Sequence, residues 1–423
     1  MTRRDAARRL STFPGGTAAR EVELVHLLAL ALVLLTALRV PLPLGVPSAL
    51  VVGVPLLPIT LGALRRFRFI PLFVVLSTVA ALCGVLLTMH HAADAGWDSS
   101  ILVANTARLL ALAVAVVSLL WARTVLGLRT VILVFGLGAL INVALVGGIH
   151  PGNPWKFSLS VPVILLALSL RGVYGNRTRE FLVLVVLTVI SAMNDSRSAA
   201  AMLIIAAAIV LTQGERNRDG RGSRRRLGVV LVQLTAIGLG GYFAVQAAIL
   251  EGALGEAARD RTVAQSEAAG STLLGGRPEI GASIALIEAH PLGLGAGTLV
   301  SYDNLVLAKE GMRTIGYDPN NNYVEVYLFG RTFEVHSVVG NLWIHFGLAG
   351  LGVVVMIALI LIHGLMVVSS DRVARGAVVY LALRSLWDLP FSPFYTSAAT
   401  LALTLAVSAV PAARSADPVE KLS

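Results

Sequence analysis

Cysteine and charged residues are both scarce in this sequence. The single cysteine, Cys83, lies inside an apolar run, which excludes a disulfide framework and a cysteine-based zinc site. Only 14% of the 423 residues are charged, against about 25% in an average soluble chain. Because 56% are hydrophobic, the chain cannot cover itself with polar surface in water. The composition therefore predicts an integral membrane protein.

Several common site motifs are also missing. The sequence has no H-E-x-x-H motif, no D-x-D pair and no Walker loop, so a protein-held metal is not indicated and no cofactor is expected. The net charge of +10 could suggest a nucleic-acid partner. Its arginines, however, form short clusters between apolar runs rather than one basic domain, which is a pattern of membrane topology. We therefore expect no nucleic acid to bind.

Twelve apolar runs follow one another along the chain, and a membrane-spanning helix needs about 20 residues. The sixth, seventh and eighth runs are shorter, and either extend into their flanks or end early against a polar cavity. We predict an all-α, polytopic integral membrane protein with about 12 transmembrane helices and one large extracytoplasmic loop. The predicted spans are 22–39, 47–64, 69–89, 100–120, 130–148, 157–170, 180–193, 198–212, 227–250, 336–363, 377–389 and 395–411.

The placement of arginine predicts the orientation of these spans. With the N-terminus in the cytoplasm, every second segment between runs is basic, and the short segments between them are nearly free of lysine and arginine. Both termini are then cytoplasmic. The chain divides into a cytoplasmic tail 1–21, spans one to nine in 22–250, an extracytoplasmic loop 251–335, spans ten to twelve in 336–411 and a cytoplasmic tail 412–423.

The long loop carries a helical pattern. Pro278 suits the first turn of a helix, and Ile280, Ile284 and Ile287 then recur on one helical face. Pro291 and the glycine-rich run that follows it end the pattern. An amphipathic helix here either lies on the membrane face as a lid or packs within its own loop.

Charged residues at membrane depth are costly and are candidates for function. Arg197 lies between two short apolar runs, where it either lines the rim of the bundle or simply pairs with Asp195. Arg277 precedes the loop helix, whose first N–H groups favour an anion. The alternative for Arg277 is a solvated surface side chain.

A third cluster lies where the loop re-enters the membrane. His336, with Glu334 and Arg331 nearby, either serves as a tuned base or is a histidine satisfied at the bilayer interface. Arg384 and Asp388 are spaced i, i+4 in the eleventh predicted span, which suits an intrahelical ion pair. Like Arg108 in the fourth, they either hold helices together or line a cavity.

Taken in order, these clusters resemble the O-antigen ligase and polymerase superfamily over roughly residues 180–365. The family usually shows a Ser-Arg pair, a loop arginine, Pro-Leu-Gly-x-Gly, a His-Asn or His-Ser pair and then Gly-x-x-Gly. A tryptophan that often follows the family's loop arginine is absent here, where Glu279-Ile280-Gly281-Ala282 stands. The matching segments are Ser196-Arg197, Gly276-Arg277, Pro291-Leu292-Gly293-Leu294-Gly295, His336-Ser337 and Gly347 with Gly350.

The resemblance implies a glycosyltransferase of a bacterial inner membrane with an extracytoplasmic active site. Arg197 and Arg277 would hold the pyrophosphate of an undecaprenyl-pyrophosphate-linked glycan donor, and His336 would take the proton of an acceptor hydroxyl. Transfer would be inverting and independent of metal. The partners are this donor, a lipid or glycan acceptor, and the bilayer. Ligase and polymerase activities both remain open, as do a flippase for lipid-linked sugars and a non-catalytic scaffold.

Overall fold

The computed structural model describes most of the predicted spans and the second part of the loop. The predicted span 227–250, the loop residues before Arg277 and both chain ends lie outside the described residues. Within them the protein is all-helical and has no strand, as predicted. The described residues are 15–40, 42–213, 277–370 and 373–412.

Among the described residues, nine α-helices lie before residue 214 and five lie after residue 276. The first nine are α1 Gly15–Leu38, α2 Ser48–Gly53, α3 Leu57–Thr60, α4 Ile70–Ala95, α5 Ser99–Leu126, α6 Leu128–Asn142, α7 Ser160–Ser169, α8 Arg177–Met193 and α9 Arg197–Thr212. The others are α10 Glu279–Ala289, α11 Tyr302–Thr314, α12 Val338–Ser369, α13 Gly376–Phe391 and α14 Phe394–Ser408.

In the described part of the chain, four segments are long and apolar enough to cross a membrane, which indicates a membrane-embedded protein. They are α4, α5, α6 with the π turn that extends it to Gly147, and α12. Among the shorter apolar helices, α9 and α14 have 16 and 15 residues. At about 1.5 Å per residue these helices extend roughly 24 Å, slightly less than the hydrocarbon core of a bilayer, which is about 30 Å thick.

The predicted span 47–64 is broken in the structure. It consists of α2, α3 and the 3-10 segment Leu61–Arg66. Pro58 lies in the first turn of α3, and Pro55 precedes that helix. Proline has no backbone N–H and clashes with the preceding helical turn, so two prolines in one apolar run prevent a continuous helix.

Hydrogen bonds at one end of the bundle fix the directions of four helices. Glu180, in the first turn of α8, accepts from the backbone N of Gly376 at the start of α13 (2.5 Å). Gln213, directly after α9, donates to the carbonyl of Val368 near the end of α12 (2.9 Å). The starts of α8 and α13 and the ends of α9 and α12 therefore lie together. We call the opposite end, at which α9 starts and α13 ends, the loop end of the bundle.

The loop helix α10 packs within its own loop. It lies against α11, and a Cβ added at Gly281 of α10 or at Gly311 of α11 would collide with the other residue's carbonyl. Ala282 is buried in this contact, whereas Ile284 and Ile287 are exposed. The helix predicted from the isoleucine pattern is present, but its buried face does not include Ile284 or Ile287. The buried residues are Glu279, Gly281, Ala282 and Leu286.

The glycine-rich run after α10 enters the bundle without forming a helix. Leu294 and Gly295 both donate to the carbonyl of Ile344 in α12 (2.8 and 3.0 Å), and Ala296 donates to that of Gly84 in α4 (3.1 Å). The partner helix α12 is interrupted at Gly347, whose φ is 64°. Non-helical backbone at this depth is tolerated because protein surrounds it and satisfies its polar groups.

Candidate functional site

His336 lies at the loop end, two residues before α12 begins. Its backbone is left-handed, with a φ of 51°, an uncommon conformation for a residue with a side chain. Ser337 fixes the turn on its C-terminal side, because its Oγ caps α12 by accepting from Gly340 N (3.1 Å) and donates to the carbonyl of Leu389 in α13 (3.1 Å). The start of α12 and the end of α13 thus hold His336 in place.

Arg277 and His336 lie together at this end of the bundle. The Arg277 Nη1 donates to the carbonyl of Phe391, the last residue of α13 (2.9 Å), and its guanidinium lies 5.4 Å from the centre of the Phe391 ring. Glu279 is 3.6 Å from the same nitrogen. Burial, and then the positive charge of Arg277, lower the pKa of His336 to about 4. The imidazole is therefore neutral near pH 7 and able to accept a proton.

Two tyrosines of the loop enclose the His336 ring. The Tyr323 hydroxyl is 3.4 Å from His336 Nδ1, and Tyr327 stacks on Tyr323 with ring centres 5.6 Å apart. Burial raises the pKa of the Tyr323 phenol, as does the charge of Glu279, so the hydroxyl stays protonated. If Nδ1 carries the hydrogen and donates to Tyr323, then Nε2 of His336 is the free base.

A polar cleft between α5, α12 and α14 adjoins this ring cluster. Arg108 donates to Asn105 on one side of the cleft (2.9 Å), and Asn341 donates to the carboxylate of Glu334 on the other (3.2 Å). Burial raises the pKa of Glu334, and the positive charge of Arg108 partly opposes this shift. Tyr395 also lines the cleft, which therefore offers charged and hydrogen-bonding groups beside His336.

Arg331 does not join this cluster. It donates to Asp98 (2.9 Å), and 75% of its side chain is exposed. Asp98 caps the start of α5 by accepting from the backbone N of Ser100 and Ile101. The ion pair therefore ties the re-entering loop to α5, a contact that the spacing of Arg331 and Glu334 in the sequence did not suggest.

Arg197 begins α9 at the loop end and forms an ion pair with Asp195 (3.2 Å). This is the structural alternative considered from the sequence. Asp195 has a φ of 50°, which turns the chain sharply between α8 and α9. Helix α9 packs against α13. Arg197 at the start of α9 therefore lies at the same end of the bundle as Phe391, the residue that Arg277 contacts.

Arg384 and Asp388 form the expected ion pair within α13, with Nε and Oδ2 3.5 Å apart. Asp388 also accepts from Ser392 (2.7 Å). The pair lies one to two turns from Phe391, beneath Arg277 and His336 rather than beside them.

Five polar residues of the site were not singled out from the sequence: Asn105, Tyr323, Tyr327, Asn341 and Tyr395. Asn341 carried a signal, since a carboxamide inside an apolar span is costly and marks a packed or functional position. The tyrosines carried little, because aromatic residues are common at membrane interfaces.

Among the described residues, no group of three histidine, cysteine or acidic side chains is arranged to hold a metal ion. A comparison with protein-family models and with curated protein sequences finds no match for this chain.

Proposed function

We propose that the protein transfers a glycan from a polyprenyl-pyrophosphate carrier to an acceptor hydroxyl, with inversion and without a metal ion. The observation that carries this proposal is the position of Arg277 beside the neutral imidazole of His336. A fixed guanidinium suits a pyrophosphate, since its donors match phosphate oxygens in pairs. A neutral imidazole at the same place suits the removal of a proton from an acceptor.

In the proposed reaction the acceptor oxygen attacks the anomeric carbon from the side opposite the pyrophosphate. The new glycosidic bond forms as the bond between carbon and pyrophosphate oxygen breaks. The acceptor proton passes to Nε2 of His336, and the electron pair of the broken bond leaves on the pyrophosphate. Arg277 stabilises the charge that develops on this leaving group.

We propose Arg197 as the second arginine of the pyrophosphate site. Its place at the start of α9, at the same end of the bundle as Arg277, supports this role. Release from Asp195, its ion-pair partner, would let the guanidinium turn toward the donor. Glu334 would support the site from the polar cleft. The Arg384–Asp388 pair would support it through helix α13.

The proposal includes the topology and location of the protein. Twelve spans in a bacterial inner membrane, with both termini cytoplasmic and the 251–335 loop outside, agree with the alternation of basic and non-basic segments. The donor's pyrophosphate would then be bound at the outer face, and its lipid chain would remain in the bilayer.

A gene deletion tests the proposal and separates its two forms. After deletion, lipid-linked and surface glycans are run on a gel, with complementation by wild type and by His336→Ala. Single repeat units on the carrier or on the surface acceptor identify a polymerase. Full-length chains that accumulate on the carrier identify a ligase. Normal surface glycans in the deletion strain would contradict both forms.

A flippase for lipid-linked sugars is a second candidate. The non-helical run Gly293–Gly297 and the break in α12 at Gly347 favour it, because transporters often build their binding sites from interrupted helices. In that case lipid-linked glycans would accumulate on the cytoplasmic side after deletion, and the His336→Ala variant would still transport them.

A further inference from the structure

The side chains of Arg39 and Arg384 lie where the end of α1 meets helices α13 and α14, a position that we call the recess. Arg39 directly follows α1, is exposed, and donates from Nη2 to the hydroxyl of Thr400 in α14 (3.2 Å). The side chain of Arg384 in α13 is 27% exposed. The positive charges of Arg384 and Arg39 repel each other, and both side chains are at least partly exposed.

The register of α13 and α14 supports this placement. The two helices run antiparallel, and Ser385 donates to Thr404 across them (2.9 Å). One turn toward the loop end, Thr400 is therefore level with Asp388. Thr400 is six residues from the start of α14, or about 9 Å at 1.5 Å per residue. Arg39 thus reaches the depth of the Arg384–Asp388 ion pair.

The charges in the recess do not balance. Among the described residues, two titratable groups act on the charge of Arg384. They are the carboxylate of Asp388 and the phenol of Tyr380. One oxygen of Asp388 already accepts from Ser392 (2.7 Å). Among the described residues, the charge that acts on Arg39 is that of Arg384, and no carboxylate acts on it. An excess positive charge among apolar helices is unfavourable, and a bound anion would offset it.

The surroundings indicate an anion that belongs to a lipid. Leu44, five residues after Arg39, has an exposed apolar side chain, and so do Val51 and Val54 in the segment that follows. Such a surface faces acyl chains rather than water. Basic pockets between membrane helices bind lipid head groups, and guanidinium groups bind phosphate oxygens in pairs.

We propose that Arg39 and Arg384 bind the phosphate of a membrane lipid in this recess. Arg384 is seven residues before Phe391 along α13, which is about 10 Å. The recess is therefore separate from the Arg277–His336 site. The proposed lipid site is additional to the proposed transfer reaction, and lipid binding there does not require turnover.

A binding measurement on the purified full-length protein in detergent tests the site. The probes are a short-chain phosphatidic acid, the matching diacylglycerol without phosphate, inorganic phosphate and undecaprenyl phosphate. Native mass spectrometry counts the bound lipids and gives the affinities. Arg39→Gln is the main variant because the side chain is exposed, and Arg313→Gln, an exposed arginine paired with Glu310, is the matched control.

We expect phosphatidic acid to bind and diacylglycerol not to bind. Arg39→Gln should weaken the binding of phosphatidic acid by roughly tenfold, because a charge-assisted hydrogen bond is lost. Arg313→Gln should leave the affinity unchanged. Asp388→Asn removes the competing carboxylate and should strengthen binding. A preference for undecaprenyl phosphate over phosphatidic acid would identify a carrier lipid, and equal binding would identify a general phospholipid site.

Equal affinity in wild type and Arg39→Gln would overturn the proposal, as would equal binding of diacylglycerol. Saturation by inorganic phosphate at the same concentration as phosphatidic acid would overturn its lipid part. His336→Ala should bind phosphatidic acid with wild-type affinity while it loses transfer, so the two proposals can fail independently.

Discussion

The hydroxyls of Tyr327 and Tyr395 lie 2.7 Å apart and connect the His336 ring cluster with the polar cleft behind it. Tyr327 belongs to the loop, and Tyr395 to the first turn of α14. Because the Tyr327 ring centre is 5.7 Å from that of His336, any movement of the loop against α14 changes the surroundings of the proposed base. Loop position and site chemistry are therefore coupled in this fold.

Removal of the Tyr323 hydroxyl should reduce the rate of transfer more than it reduces donor binding. In Tyr323→Phe, Nδ1 of His336 loses the partner that holds its hydrogen, so the tautomer with a basic Nε2 is less favoured. We expect kcat to fall by roughly threefold to thirtyfold with little change in KM, because the loss of such a hydrogen bond costs about 1 kcal/mol or more. Tyr302→Phe, at an exposed position in α11, is the control. Equal losses in both variants would contradict this role.

The acid limit of activity should lie near pH 4. The pKa of His336 is lowered to about 4 from an ordinary 6.5, so the imidazole remains neutral from pH 6 to 8 and transfer should vary little there. Arg277→Gln removes a neighbouring positive charge, and the acid limb of its residual activity should move toward higher pH. A pH profile of both proteins measures this. An acid limb at pH 6.5 in the wild type would argue against a buried, neutral His336.

The same shift affects stability. Because the folded pKa is lower than the unfolded one, the unfolded chain binds the His336 proton first as the pH falls. The free energy of unfolding should therefore decrease between about pH 6.5 and pH 4 relative to that of His336→Ala. Thermal unfolding in detergent across this range tests it. Parallel curves for the two proteins would contradict the expected linkage.

A lysine should not replace either proposed pyrophosphate arginine. Arg197→Lys and Arg277→Lys keep the charge but lose the paired donors of the guanidinium, and we expect transfer to fall by roughly tenfold to a hundredfold. Arg313→Lys on the exposed face of α11 should have no effect. Transfer kinetics with a lipid-linked donor provide the measurement, and near-wild-type rates in both lysine variants would exclude bidentate contacts.

The packing of α10 on α11 should depend on its two glycines. Gly281→Ala places a methyl group against the Gly311 carbonyl, which should cost about 1–3 kcal/mol of stability or separate the helices. Gly352→Ala in α12 has open space around it and should be neutral or slightly stabilising, since alanine favours helix. Limited proteolysis of the loop compares the two. Equal protection would contradict the close helix contact.

Features set by nearby residues could be predicted from the sequence, and those set by distant contacts could not. The Arg384–Asp388 ion pair and the helix after Pro278 follow from spacings of a few residues. The buried face of α10 does not, because Gly281 meets Gly311, which lies in a helix that was not foreseen. The Arg331 contact with Asp98 likewise joins segments more than 200 residues apart.

The site divides in the same way. His336 and Arg277 were identified from the sequence as candidates, but their proximity depends on Phe391, which belongs to a helix far along the chain. The cleft also could not be predicted, since Asn105, Glu334 and Tyr395 come from three separate segments.

The central claim is tested most directly with purified protein in liposomes that contain a polyprenyl-pyrophosphate-linked glycan and a hydroxyl acceptor. Release of free polyprenyl pyrophosphate and the anomeric configuration of the product are measured for wild type, His336→Ala and the exposed control His90→Ala. We predict an inverted product with wild type and His90→Ala, and a rate about 10²- to 10⁴-fold lower with His336→Ala. Equal rates in His336→Ala and wild type, or no carrier release by any of the three proteins, would contradict the account.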